Sequence, residues 1–420
     1  MYNLNSSKDL QPLIDDIGDA SVVMLGEASH GTHEFYTWRT AISKRLIEEK
    51  GFRFIAVEGD WPDCYKINRY IKGYKSSGES SIQQILQNFD RWPTWMWANW
   101  EVAALSEWLK EYNANLLADK KIGFYGLDVY SLWDSMYNMV HYLEKEDTKA
   151  ADMVKKAIQC FEPYHDNEQM YAYVSLTEHS CRDKVLALLK EIRMKAQFLD
   201  GDREAGFNAE QNALISVNAE KYYRSMMSFN NESWNVRDTH MMETLDRLIN
   251  FHGNDSKAIV WEHNTHIGDA RATDMKREGM INIGQLAREE YSPENVYLCG
   301  FGSYTGTVIA GEAWGSLMEE MQVPDARKGS IEEVLHNELN DNGYILFSEK
   351  NDSKKFEKAL LHRAIGVVYN PEREKYGNYV TSFMPQRYNA FIFIDETKAL
   401  HPLHIKPIGE KVPETYPFGV

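Results

Sequence analysis

Five short runs, VVMLGE (22–27), RFIAVEGD (53–60), IGFYGLD (122–128), AIVWEHN (258–264) and VYLCGFG (296–302), are almost continuously apolar and finish on polar or small residues. Such runs predict strands covered on both faces, as in a parallel sheet between helical layers. Between the first two lies THEFYTWRTAISKRLIEEKG, where Phe35, Trp38, Ile42 and Leu46 recur at helical spacing. Thr32 is placed to cap its start and Gly51 to close its end. Strand, helix and strand make a βαβ unit, so the fold class is α/β with a mainly parallel sheet. Open sheets of this kind bind ligands beyond the carboxyl ends of their strands. Here those ends carry Glu27, Glu58, Asp60, Asp128, Glu262, His263 and, just beyond, His266.

From about 131 to 255 the texture changes to long amphipathic patterns, such as SCRDKVLALLKEIRMKAQFL and AEQNALISVNAEKYYRSMMSF, with no strand-like run between them. The reading is a core formed by residues 1–130 and 256–420, interrupted by a large helical insertion over 131–255. A chain of 420 residues suits one large domain with an insertion, or two domains. GYKSSGESS (73–81) offers little to bury and reads as a mobile loop.

The formal net charge of -17 sets up a field that repels phosphate backbones and anionic membranes, so no nucleic acid and no membrane is expected as partner. Cys64, Cys160, Cys181 and Cys299 are scattered without a C-x-x-C pair, which argues against a disulfide framework and a zinc finger. The N-terminus lacks a basic segment followed by an apolar one, and no apolar stretch approaches a membrane span, so the expected location is cytoplasmic. The oligomeric expectation is a monomer or a weak homo-oligomer.

Gly26-Glu27-Ala28-Ser29-His30-Gly31 places several chemical groups at a strand end. Ser29 does not satisfy the G-x-S-x-G elbow, because Glu27 stands where the first glycine is needed, and Ser303 is flanked by Phe301 and Thr305. GFGSYTG has the wrong spacing for a dinucleotide fingerprint. Two H-x-x-H pairs, His30 with His33 and His263 with His266, leave a catalytic divalent metal as a rival reading, although H-E-x-x-H is absent. Acid-base chemistry is preferred, with no cofactor. His30 is the candidate base, since a neutral imidazole can take a proton from water near pH 7. Glu27 or Glu58 would orient it, and Arg39 would stabilise a developing oxyanion.

Trp97, Trp100 and Trp108 read as one buried helix face, whereas Trp92 and Trp95, flanking Pro93, read as cleft wall. Arg237 and Asp238 read as a salt bridge pinning the insertion to the core, and His240 as an ordinary helix residue. The acidic strand ends favour a neutral or cationic ligand.

The ordered set GEASHGT (26–32), VEGDW (57–61), GLD (126–128), NVRD (235–238), HNTH (263–266) and GSYTGTV (302–308) resembles the erythromycin esterase family over nearly the whole chain. That resemblance implies a three-layer α/β/α core with a helical insertion beside a deep cleft, and hydrolysis of a carboxylic ester or macrolactone without a covalent serine intermediate. It also implies His30, Glu27, Glu58, Arg39 and His266 as catalytic residues, His266 helping Arg39 to stabilise charge at the carbonyl. Asp60, Trp61, Trp92, Trp95, Asp128 and His263 are the expected substrate contacts, and a small-molecule ester the expected partner. Family members of unknown substrate keep a different role in view, binding of a sugar or polyketide in polysaccharide metabolism.

Overall fold

Val22–Leu25 is buried at every position, and its successive residues serve opposite layers. Val23 and Leu25 join a core with Phe35, Ile42 and Leu46, whereas Val22 and Met24 join one with Met241, Leu245 and Leu248. A strand without a solvent face belongs in the interior of a sheet covered on both sides. The computed structural model describes residues 1–404 except 75–80, 147, 166–167, 176–179, 196–202, 228–230, 340 and 350–353, so the loop expected over 73–81 lies mostly outside the described residues.

The strands are β1 (Tyr2–Asn3), β2 (Val22–Leu25), β3 (Phe52–Asp60), β4 (Gly123–Asp128), β5 (Lys257–Trp261), β6 (Val296–Gly311), β7 (Met318–Val323), β8 (Gly343–Leu346), β9 (Leu360–Arg363), β10 (Tyr379–Ser382) and β11 (Ala390–Thr397). Among the described residues nine of them form one sheet in the order β1-β8-β11-β6-β2-β5-β3-β4, with β7 paired to β6, while β9 and β10 form a separate ribbon. From β11 to β4 every pairing is parallel; β1, β7 and β8 join antiparallel. This is the expected α/β class, widened by an antiparallel edge.

Sheet order, rather than chain order, assembles the cleft. Because β5 inserts between β2 and β3, the carboxyl ends of β2, β5, β3 and β4 stand side by side and bring four distant parts of the chain together. The covering helices begin with α1 (Gln11–Ile17), α2 (His33–Lys50), α3 (Trp61–Ile71), α4 (Ile82–Gln87) and α5 (Trp100–Ala114). Gly51 ends α2 in the left-handed region at φ 72°, as the sequence implied, but the Thr32 side chain does not cap its start. The Thr32 hydroxyl is committed to Ser29 instead.

Among the described residues between β4 and β5 there is no strand. The segment holds α6 (Leu132–Glu146), α7 (Thr148–Phe161), α8 (Glu168–Ser175), α9 (Arg182–Lys195), α10 (Arg203–Ser225) and α11 (Glu232–His252). Met136, Val154, Leu188, Ala213 and Tyr222 share a core of their own. The last helix differs, since Met241, Leu245 and Leu248 of α11 pack on the sheet.

Cys160 and Cys181 are joined by a disulfide, against the expectation from their spacing. Pairing is decided by proximity in space, and the packing of α7 on α9 brings the end of one to the start of the other. Among the described residues no helix is long and apolar enough to cross a membrane.

Candidate active site

The turn after β2 is pressed between the Asn264 side chain and the β6 backbone, which explains its two glycines. A Cβ at Gly26 would stand 2.1 Å from Asn264 Oδ1, and one at Gly31 only 1.9 Å from the Ile309 carbonyl oxygen. Held in this way, the turn buries both Glu27 and His30. His30 Nδ1 lies 2.9 Å from Glu27 Oε1. Glu27 Oε2 in turn meets Arg39 Nη2 at 2.7 Å. When the imidazole is neutral and Nδ1 donates to the carboxylate, the lone pair resides on Nε2. Burial works against charging His30, but Glu58 and then the bond to Glu27 outweigh it, and the pKa is raised above the ordinary histidine value.

A second set of groups centres on Arg237 of α11. Its Nε donates to Asp128 Oδ1 at 3.0 Å, Nη2 to Glu58 Oε1 and Asp128 Oδ2 at 2.7 Å each, and Nη1 to His266 Nε2 at 3.0 Å. Four of the five guanidinium donors are thereby used. His266 Nδ1 donates to Asp238, 3.0 Å away, and its ring stacks on Trp234 at 4.5 Å. Burial pushes the Glu58 carboxyl up, but the neighbouring His266, Arg237 and His30, with the His263 N–H, hold it well below the usual carboxylate range. Glu262, at the end of β5, is the opposite case. Burial, reinforced by Glu58 and Asp238, pushes it well above that range, and neither of its oxygens has a partner among the described residues.

Beside these groups runs a cleft lined by His30, Glu58, Asp60, Asp128, Arg237 and Trp97, among others. Asp60 is bound to Arg91. Burial still prevails over that cation and pushes the Asp60 carboxyl up to about 7.

The wall differs from the sequence expectation in several places. Trp61 does not border the cleft but stacks on Tyr125 with centroids 5.5 Å apart. Trp92 and Trp95 pack edge to face at 5.4 Å and lie behind the lining, their place taken by Trp97 and Trp314. Trp97 precedes α5 and so leaves the face assigned to it, while Trp100 is 52% exposed. Arg39 and His266 are fully buried and do not border the cleft. The Arg39 guanidinium instead sits 4.4 Å from the Tyr36 ring and 4.7 Å from that of Trp261, where it holds Glu27. His263 also lies behind the lining, its ring 5.0 Å from that of His30. Burial, then the neighbouring His30, lowers its pKa well below the ordinary value.

Arg237 of α11 pairs with Glu58 and Asp128 at the strand ends, Asp238 holds His266, and Arg237 also faces the cleft. Arg91 and Trp314 had no periodic signal to mark them; the one clue to Arg91 is a cation in the aromatic stretch FDRWPTW. The two H-x-x-H pairs do not act as pairs. His33 points to Glu101 and His401 while His30 points to Glu27, and His263 and His266 separate in the same way.

The profile of the erythromycin esterase family matches residues 47–397. The chain belongs to the erythromycin esterase family. Erythromycin esterase type II of Escherichia coli is 24% identical over 364 residues, 81% of this chain and 83% of that protein. The crystal structure of a succinoglycan biosynthesis protein superposes with a TM-score of 0.77 at 20% identity, covering 95% of each chain. Erythromycin esterase EreC, as a histidine-to-asparagine variant in its open conformation, gives 0.68 at 15% identity over 94% of this chain and 95% of its own. These likenesses establish the erythromycin esterase fold, and family membership supports a hydrolase of small-molecule esters. Glu27, His30 and Arg39 precede the span matched to the family profile, so their roles rest on geometry.

Proposed function

We propose that the protein hydrolyses a carboxylic ester or macrolactone with water activated by His30. The observation that carries this reading is the chain Arg39–Glu27–His30, which fixes the imidazole through Nδ1 at the edge of the cleft. Nε2 takes a proton from water as the water oxygen bonds to the carbonyl carbon, and Glu27 and Glu58 stabilise the imidazolium. The remaining Nη1 donor of Arg237 has no partner among the described residues and serves the carbonyl oxygen as negative charge develops there. Collapse of the tetrahedral intermediate breaks the acyl C–O bond, and the alkoxide leaves with the proton held on His30. Arg39 and His266 act as positioning residues for Glu27 and Arg237.

Glu58, Asp60, Asp63 and Asp128 line the cleft against Arg91 and Arg237, which supports a neutral or cationic ester. The test is incubation with macrolides and simple esters of matched size and differing charge, product being detected by mass. Cleavage of neutral or cationic members is expected, with loss of about 10²–10⁴-fold in His30→Ala. Undiminished turnover in that variant would refute His30 as base, and equal rates on anionic and cationic esters would remove the charge preference.

A further inference from the structure

Three side chains that the proposed hydrolysis leaves unused converge where α2, α5 and the segment after β11 meet. His33 is the first residue of α2 and Glu101 the second of α5. His401 belongs to the segment that pairs with both helix starts, its carbonyl accepting from Trp100 N–H at 3.0 Å and the Lys398 carbonyl from His33 N–H at 2.9 Å. Nδ1 of His33 and Nδ1 of His401 each lie 2.6 Å from one oxygen of Glu101, Oε1. The rings meet edge to face at 5.1 Å. Glu101 Oε2 is buried and has no partner among the described residues. One donor atom from each residue lies within 4.8 Å of the others, and none of the three residues lines the cleft.

We propose that His33, Glu101 and His401 bind a divalent transition-metal ion of the zinc class. With two protons, the imidazoles can only crowd one carboxylate oxygen and leave the other unsatisfied. A single ion at their meeting point replaces both protons, with nitrogen and oxygen ligands at about 2.0–2.2 Å. Contraction of a cluster already this tight requires small side-chain rotations. Two nitrogens and one carboxylate favour zinc, cobalt, nickel or copper over calcium and magnesium, which take oxygen ligands. His401 is 61% exposed, so a fourth position is open to water. The ion would staple the segment around residue 400 to the starts of two helices and steady the turn that carries His30, three residues before His33. This role is independent of the hydrolytic reading.

The test uses untagged, chelator-treated protein titrated with zinc chloride against a chromophoric chelator, with thermal unfolding in parallel. One equivalent is expected in the wild type and in His30→Ala, together with a raised unfolding temperature. His401→Ala, at an exposed position, should weaken uptake by at least about tenfold, the lower end for disturbing even an outer-shell partner of a metal, and abolish the thermal shift. His33→Ala should do the same. Absence of uptake would overturn the proposal. So would uptake unchanged in His401→Ala and His33→Ala, or uptake lost in His30→Ala alone, which would move the ion to the cleft.

Discussion

The bond between Glu27 and His30 makes the pH dependence of activity a direct probe of this site. Because the His30 pKa is raised, the inactive imidazolium persists above the ordinary value, and kcat/KM should rise with pH through a midpoint above ~6.5. After burial, which acts in the other direction, Glu58 is the largest influence on His30. Glu58→Gln should therefore shift that midpoint to lower pH, and an unmoved pH profile would mean that another group controls the rate. Arg39→Met should act on stability, since it leaves Glu27 buried without its cation, a change that costs about 3–5 kcal/mol and is measurable by denaturant unfolding. The sequence made His30, Glu58 and Asp128 legible because strand ends must face the cleft. It could not show that Arg39 and His266 stand behind them, since that depends on how α2 and the turn after β5 are packed. Arg91, Trp97 and Trp314 come from irregular segments, where no periodicity reports a direction.

Among the elements, the turn after β2 has the least freedom. Gly31→Ala would drive a methyl group into the β6 backbone at Ile309, and overpacking of this kind costs about 1–3 kcal/mol. A lower unfolding midpoint with a reduced kcat is expected; a variant equal to wild type in both would show that the turn can move. The five runs read as parallel strands are β2 to β6, and AFIFIDET of β11 carries the same apolar signature. Of the others, β8 is apolar and buried throughout but only four residues long, and β7, β9 and β10 lack the signature. β7 is largely exposed, and β9 and β10 have four residues each with partial burial, so none of these strands presents a continuous apolar run. β6 extends to 16 residues because its second half turns towards β7, which the polar Ser303–Thr307 stretch conceals.

For the whole molecule, the sheet cores and the helical core are distinct, and only the latter is covalently tied. A disulfide closing a separation of 21 residues is worth about 3 kcal/mol in the chain-entropy account. Cys160→Ser should therefore lower thermal stability, with amide exchange increasing first in α7 and α9; equal stability with and without reductant would argue that this core holds without its bridge. The helices between β4 and β5 were legible from texture, whereas the disulfide was not, because two cysteines in separate helical patterns carry no sign of which partner they meet. The turn bearing His30 has a consequence in time. Gly31 accepts from Leu400 N–H and from Ile309 N–H, and His33 donates to Lys398. A nascent chain emerging from the ribosome therefore carries its proposed base about 370 residues ahead of the segment that locks it in place. Long-range closure of this kind slows folding, and it delays the chemistry until the segment around residue 400 has been made.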